Sequence, residues 1–259
     1  MSDTVRVTLI ANAGLLLEYR GTTLLLDGIY GAENHPFSPL PPQLWNQMKS
    51  GTAPFEKIDL LLFSHLHPDH FSPEMTLEYL RSRPVRGIFL PDVPEVRDSG
   101  LIDYLTVNNI PCAALSKQTE RMGFRITPEI TVRTILTRHL DKRYEAVRHI
   151  CYLISFGPKT LLFTADLDYV TENLDRLANT KLDAVFVNPL FFGALRRGKY
   201  FSGKLNTNHI VVYHVPFSDH DRLGIRKSLS RDLEQWPHPS TRTDVLQEPL
   251  QQLLIECNT

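Results

Sequence analysis

The sequence predicts an α/β protein, and three features of the chain lead to that class. Short apolar runs of strand type, such as residues 58–63 (IDLLLF), alternate with segments of helical pattern along most of the 259 residues. Clusters of histidine and aspartate follow several of these runs, where strands would end. Apolar residues make up 42% and charged residues 22% of the chain, an ordinary balance for a globular protein with a substantial core.

The first half of the chain opens with a predicted antiparallel meander of three strands, at 5–10, 15–19 and 22–26. A proline-rich segment, 31–54, then interrupts the pattern, and we expect it to form an ordered flap. The strand 58–63 leads to a helix over residues 75–81. Ser72 marks its start, because serine is a good N-cap and Pro73 suits the first helical position. The remaining elements of this half are a strand at 85–90, a helix at 100–109 and a strand at 111–115.

The second half repeats this style. A strand at 129–137 leads to His139, and strands at 150–156 and 159–166 form a hairpin around Gly157 and Pro158. The other predicted elements are strands at 182–189 and 209–215 and helices at 169–179, 220–236 and 245–256. We expect residues 1–259 to form a single domain of two comparable halves, roughly 1–128 and 129–259.

Four side chains of metal-ligand type, His65, His67, Asp69 and His70, follow the strand 58–63 directly. By chance, H-x-H-x-D-H arises in about one chain in a thousand of this composition. Alternate side chains of an extended segment share a face, so His65 and His67 can contact one ion. Asp69 and His70 follow as the chain turns and can contact a second ion. Imidazoles and carboxylates suit zinc, iron or manganese, so the cluster predicts a metal site rather than a solvated loop.

This motif and its surroundings resemble the metallo-β-lactamase-fold hydrolases. The similarity runs from about residue 5 to 220 and includes VTLIANAGLLLEYRGTTLLLDG (7–28), KTLLFTAD (159–166) and IVVYHVPF (210–217). It implies a four-layer αββα sandwich, in which two mixed sheets are covered by helices. The chain departs from the family pattern at two places: Ala165 stands where glycine is usual, and Asn12 where many members have histidine.

The resemblance also implies two metal ions and seven ligands. One ion would be bound by His65, His67 and His139, the other by Asp69, His70 and His214, and both by Asp166. Asp69 would in addition orient a bridging hydroxide that attacks the substrate. For the last ligand His220 is an alternative, and we prefer His214 because it lies at a strand end.

Two further sets of residues have open interpretations. Asp27, at the end of a buried strand, is either the hydrogen-bond acceptor of a ligand histidine or a carboxylate that caps a turn. The basic segment 191–204 carries Arg196, Arg197 and Lys199. These cations either hold an anionic group of the substrate or belong to a solvated loop.

The leading hypothesis is a dinuclear metal-dependent hydrolase of a small-molecule ester, lactone or phosphoester, with zinc as the expected ion and manganese or iron as alternatives. Other hypotheses are a nucleic-acid-processing phosphodiesterase, disfavoured by the net charge of -1, and a non-catalytic metal-binding scaffold. Three widely spaced cysteines and the lack of a signal or membrane segment predict a cytoplasmic protein. Its expected partner is a small, anionic or neutral substrate, and homo-oligomerisation stays open.

Overall fold

The structure, a computed structural model, describes residues 3–116, 123–169, 177, 180–198 and 205–257. The chain divides into two compact units. Unit 1 comprises residues 1–119 and 248–258, and unit 2 comprises residues 120–247 together with residue 259. No helix in the described part of the chain has the length and apolar character that a membrane crossing requires.

Unit 1 is built on a seven-stranded mixed sheet. In spatial order its strands are β16 (Gln252–Glu256), β1 (Thr4–Leu9), β2 (Leu15–Tyr19), β3 (Thr22–Leu26), β4 (Leu60–Leu62), β5 (Gly87–Pro91) and β6 (Cys112–Leu115). Pairing is antiparallel from β16 to β3 and parallel from β3 to β6. The predicted meander is therefore confirmed.

The helices of unit 1 are α1 (Pro42–Ser50), α2 (Pro73–Ser82), α3 (Pro94–Arg97) and α4 (Leu101–Val107). The predicted start of α2 is confirmed, since the Ser72 hydroxyl accepts a hydrogen bond from the Met75 N–H at 3.2 Å. The prediction missed α1, inside the proline-rich segment. This helix starts at Pro42, buries Leu44 and Met48, and is capped at its C-terminus by Gly51, whose φ of 68° is left-handed.

Unit 2 is built on a second seven-stranded mixed sheet. In spatial order its strands are β15 (Arg242–Val245), β14 (His209–Val212), β12 (Ala184–Val187), β10 (Lys159–Phe163), β9 (His149–Phe156), β8 (Ile130–Thr137) and β7 (Gly123–Arg125). Pairing is parallel from β15 to β10 and antiparallel from β10 to β7. The hairpin predicted around Gly157 is confirmed as β9 and β10.

Among its described residues, unit 2 also contains a small parallel pair, two α-helices and a short 3-10 helix at Lys142–Tyr144. The pair and the α-helices are β11 (Lys181–Leu182), β13 (Asn206–Thr207), α5 (Pro189–Arg196) and α6 (Ile225–Glu234). The helix predicted at 169–179 falls mostly outside the described residues. The helix predicted from 220 begins five residues later, because the Asp221 carboxylate accepts hydrogen bonds from the Ile225 and Arg226 N–H groups and so caps α6 there.

The prediction of a C-terminal helix at 245–256 is wrong. Residues 242–245 form β15 in unit 2, and residues 252–256 form β16 in unit 1. In β16 exposed and buried residues alternate, with Leu253 and Ile255 buried and Leu254 exposed. This period of two is that of a strand with one buried face, and β1 supplies the backbone partners.

Each unit has its own apolar core beneath its helices. In unit 1, Met48 of α1, Tyr79 of α2 and Leu105 of α4 belong to the same buried cluster as Leu61 and Ile88 of the sheet. In unit 2 the cluster joins residues of the sheet to both helices, and its members include Val185, Ile210, Phe191, Phe192 and Leu229. The predicted α/β class with two mixed sheets is confirmed.

Candidate metal centre

The histidine-rich segment begins where β4 ends. The Phe63 N–H still donates to the Phe89 carbonyl, and the chain then leaves the sheet. His67 closes a tight turn, because its carbonyl accepts hydrogen bonds from the N–H groups of His70 and Phe71 at 2.9 and 3.0 Å. This turn brings His70 back beside His65, so that their ring centroids lie 4.0 Å apart.

The side chains of this segment are crowded and largely buried. His65 and His70 are fully buried, Asp69 is 5% exposed, and His67 is half-buried. His65 Nε2 lies 3.1 Å from His67 Nδ1, and His70 Nε2 lies 3.7 Å from Asp69 Oδ2. Imidazoles packed this closely repel one another when protonated, and neutral rings are the form that binds a metal ion.

Asp27 follows β3 and contacts the segment directly. Its Oδ1 accepts the Ser64 N–H at 2.7 Å, and its Oδ2 accepts the Ser64 hydroxyl at 2.6 Å. The same Oδ2 lies 3.0 Å from His70 Nδ1, and Ser64 Oγ lies 2.9 Å from His65 Nδ1. Asp27 is fully buried and has a φ of 47°. Of its two interpretations, the contact with His70 favours the acceptor that orients a ligand histidine.

Three further candidates follow strands of unit 2. His139 comes after β8, Asp166 after β10 and His214 after β14. His139 Nε2 lies 3.5 Å from Asp166 Oδ2, and His214 Nε2 lies 3.5 Å from Asp166 Oδ1. The Leu140 N–H donates to the Asp166 carbonyl at 2.8 Å. One aspartate therefore presents each of its carboxylate oxygens to a different histidine.

The backbone is left-handed at two positions in this part of unit 2. Ala165 has a φ of 44° and His214 a φ of 60°. Such values cost a residue with a Cβ energy that the surroundings must offset. The Ala165 N–H donates to the Tyr213 hydroxyl at 3.1 Å, which helps to hold the strained turn before Asp166. This conformation explains why glycine suits position 165, and alanine is the least bulky replacement.

Two polar residues at this centre were not anticipated from the sequence. Ser64 joins Asp27 to His65, and Asn188 donates to Asp166 Oδ1 at 3.3 Å. The sequence did contain a partial signal for Asn188, since Asn followed by Pro189 after a strand predicts a helix start. The contact with Asp166 depends on the fold and had no sequence signal.

Two groups of these side chains could each hold a metal ion. The first consists of His65, His67, His139 and Asp166, and the second of Asp69, His70, Asp166 and His214. Within each group, one ligand atom per residue lies within 4.8 Å of all the others. Nitrogen and carboxylate oxygen donors of this kind fit zinc, iron or manganese. The donor chemistry of each group therefore fits a metal ion, and Asp166 belongs to both groups.

The alternative ligand His220 lies elsewhere. It is 42% exposed, its Nδ1 lies 2.9 Å from Asp219 Oδ1, and it belongs to neither group. Cys151 belongs to neither group; it is fully buried, and its Sγ donates to the Thr164 carbonyl at 3.5 Å. Burial raises the pKa of its thiol to about 12.

The basic segment 191–204 is not a loop over its first part, since residues 191–196 belong to α5. Arg196 Nε donates to Asp232 Oδ1 at 2.6 Å and its Nη1 to Gln235 Oε1 at 2.9 Å, so its guanidinium is held against α6. Arg197 is exposed at the end of α5. Lys199 lies outside the described residues.

The sequence matches the profile of the family described as "Beta-lactamase superfamily domain" over residues 23–213. This is more than half of the chain, so the protein belongs to that superfamily. A curated relative, a putative Rieske 2Fe-2S iron-sulfur protein of Mycolicibacterium smegmatis, is 33% identical over 94 residues. The match covers 35% of this chain and 16% of that protein.

Solved structures show the same fold. The metallo-β-lactamase fold protein YhfI of Bacillus subtilis has a TM-score of 0.65 at 16% identity, covering 98% of this chain and 100% of YhfI. Igni18, a metallo hydrolase of Ignicoccus hospitalis, has a TM-score of 0.63 at 13% identity, covering 98% of this chain and 99% of Igni18. CmlA, a diiron β-hydroxylase of Streptomyces venezuelae, has a TM-score of 0.62 at 18% identity, covering 99% of this chain but 54% of CmlA. The predicted metallo-β-lactamase type of fold is confirmed.

Proposed function

We propose that this protein is a dinuclear metal-dependent hydrolase of a small molecule with an ester, lactone or phosphoester group. The observation that carries the proposal is the pair of ligand groups that share Asp166. A carboxylate with one oxygen towards each of two histidines is suited to join two ions. Membership of the β-lactamase superfamily and the similarity to Igni18, a metallo hydrolase, support the proposal.

In this proposal the side chains have distinct roles. The first ion would be held by His65, His67 and His139, the second by Asp69, His70 and His214, and both by Asp166. Bound divalent ions supply a Lewis acid and lower the pKa of water towards neutrality. Asp27 and Ser64 keep the rings of His70 and His65 in the orientation in which their Nε2 atoms can bind.

Asp69 has a second role in the proposal. Its carboxylate is largely buried yet lies among candidate ligands, where it can accept a proton from the attacking water and pass it to the leaving group. An anionic substrate would in addition contact Arg197, which is exposed at the end of α5, or Lys199, which follows it in the sequence. Arg196 is less suited to this role, because Asp232 already holds its guanidinium.

We propose zinc as the resident ion, with manganese and iron as alternatives. Histidine-rich sites with carboxylates accept all three, and CmlA, a protein of similar fold, is a diiron enzyme. The cytoplasmic location also belongs to the proposal, on the ground of few and widely spaced cysteines.

Elemental analysis of the protein purified without added metal tests the proposal. We expect about two ions per wild-type chain, as the two-metal mechanism requires, and at most one in the double variant His65→Ala/His67→Ala. His220→Ala is the matched control, since His220 lies outside both groups and should keep both ions. A folded wild-type chain that takes up no metal, even when zinc, manganese or iron is supplied, contradicts the proposal.

A screen of lactones, carboxylic esters, thioesters and phosphodiesters with the metal-loaded protein would then identify the substrate class. The double variant serves as the negative control in each assay. Activity that is equal in the double variant and the wild type would show that the ligand groups do not act in the reaction.

A further inference from the structure

Asn188 lies between β12 and α5 and makes two kinds of contact. Its side-chain Oδ1 accepts the Phe191 N–H at 2.9 Å, which caps the first turn of α5. Its Nδ2 donates to the Ala165 carbonyl at 3.0 Å and to Asp166 Oδ1 at 3.3 Å. The side chain is 4% exposed. One buried amide thus joins a helix start to the candidate bridging aspartate.

The orientation of this amide follows from its neighbours. The Phe191 N–H is a donor and must face the amide oxygen, whereas the Ala165 carbonyl is an acceptor and must face the amide nitrogen. A flipped amide would oppose donor to donor and acceptor to acceptor. The nitrogen has two hydrogens, so one can bond Ala165 while the other bonds Asp166.

The contact distinguishes the two oxygens of Asp166. Oδ1, which accepts from Asn188, is the oxygen 3.5 Å from His214 of the second ligand group. Oδ2 is the oxygen 3.5 Å from His139 of the first group. A carboxylate oxygen has two lone pairs, so Oδ1 can accept from Asn188 and still bind an ion. The amide therefore acts on the side of Asp166 that faces the second group.

We propose that Asn188 is a positioning residue that holds Asp166 Oδ1 for the metal ion of the second group. This inference rests on the proposed dinuclear site. Rotation about the Cβ–Cγ bond of Asp166 would move Oδ1 away from His214, and the Asn188 N–H opposes that rotation. Loss of the amide donor therefore weakens binding of the second ion more than binding of the first.

Cobalt titration of the metal-free protein, followed by d–d absorption and calorimetry, measures the two association constants separately. Asn188→Ser keeps a good helix cap but loses the amide donor, whereas Asn188→Ala loses both. We expect Asn188→Ser to weaken the second constant about 10- to 100-fold, the usual effect of removing a partner of a metal ligand. The first constant should change by much less.

Two ligand variants identify the constants. Asn188→Ser should resemble His214→Ala, which removes a ligand of the second group, rather than His67→Ala, which removes one of the first. Asn188→Ala should have the same cobalt association constants as Asn188→Ser, because both variants lack the amide donor to Asp166. Its melting temperature should be lower, because it also lacks the helix cap of α5. Asn208→Ser, at an exposed asparagine, is the matched surface control.

The outcomes separate this inference from the proposed function. If the wild type binds fewer than two cobalt ions, the dinuclear proposal itself fails. If the wild type binds two ions and Asn188→Ser leaves both constants unchanged, or weakens them equally, the dinuclear site stands and the role of Asn188 is wrong.

Discussion

At the scale of single residues, the candidate centre depends on short polar side chains that support longer ones. Asp27 accepts both the N–H and the hydroxyl of Ser64, and that hydroxyl lies 2.9 Å from His65 Nδ1. A buried carboxylate without such partners would be costly, so the hydrogen bonds stabilise the ligand-free protein as well. Ser64 is therefore expected to contribute both to stability and to metal binding.

Replacing Ser64 with alanine tests this dual role. The variant leaves one hydrogen bond to Asp27 unmade, so we expect the free energy of unfolding of the metal-free protein to fall by about 1–3 kcal/mol. Because His65 loses its partner, affinity for the first ion should fall about 10-fold or more. Urea denaturation and metal titration measure the two effects.

Ser82→Ala is the matched control, since Ser82 lies at the exposed end of α2 and should change neither quantity by much. Unchanged stability and unchanged metal affinity in Ser64→Ala would show that the contact with Asp27 contributes little.

At the scale of elements, the C-terminal segment shows how pairing overrides a local pattern. Leu250, Leu253 and Leu254 have the spacing of an apolar helix face, which favours the helix expected at 245–256. In the structure, residues 252–256 pair antiparallel with β1, with Thr4 opposite Glu256 and Val7 opposite Leu253. Pairing with the edge of β1 gives five residues backbone hydrogen-bond partners within a sheet. A short isolated helix is only marginally stable by comparison.

The two neighbouring leucines of β16 provide the test at this scale. Leu253 is 6% exposed and Leu254 is 50% exposed, as the alternation of a strand requires. We expect Leu253→Ala to lower the free energy of unfolding by about 2–3 kcal/mol and Leu254→Ala by less than about 0.5 kcal/mol. Denaturant unfolding of both variants measures the difference. Equal costs at the two positions would contradict the strand.

At the scale of the whole molecule, the balance of charge bears on the class of substrate. Lys and Arg number 28 and Asp and Glu 29, so the formal net charge is -1. Binding to nucleic acid gains much of its free energy from the release of counterions by basic groups. From this net charge we expect the chain to lack the general attraction to phosphates that a basic nucleic-acid-binding protein has.

We therefore expect no tight binding to tRNA. Fluorescence anisotropy with labelled tRNA at about 50 and 200 mM salt should give weak binding with little dependence on salt. A basic tRNA-binding protein, in contrast, loses about 10³-fold or more in affinity between these two salt concentrations. Tight binding by this protein that falls steeply with salt would favour the phosphodiesterase of nucleic acids over the small-molecule hydrolase.

The sequence by itself determined the α/β class and most strands of both sheets, and it predicted four ligand-type side chains of the candidate centre. These features are local: a buried strand has a run of apolar residues, Ser72 with Pro73 specifies a helix start, and H-x-H-x-D-H places four ligand-type groups on one short segment. The positions of His139, Asp166 and His214 followed from resemblance to the superfamily, and their binding of metal remains a prediction.

Only the tertiary structure decided the features that depend on partners far away in the chain. Whether residues 252–256 form a helix or a strand depends on the free edge of β1, and the engagement of Arg196 depends on Asp232 of α6. The contact of Asn188 with Asp166 joins the ends of two parallel strands 22 residues apart in sequence. Hydrogen bonds of this kind are set by distances across the fold, which residue spacing along the chain does not encode.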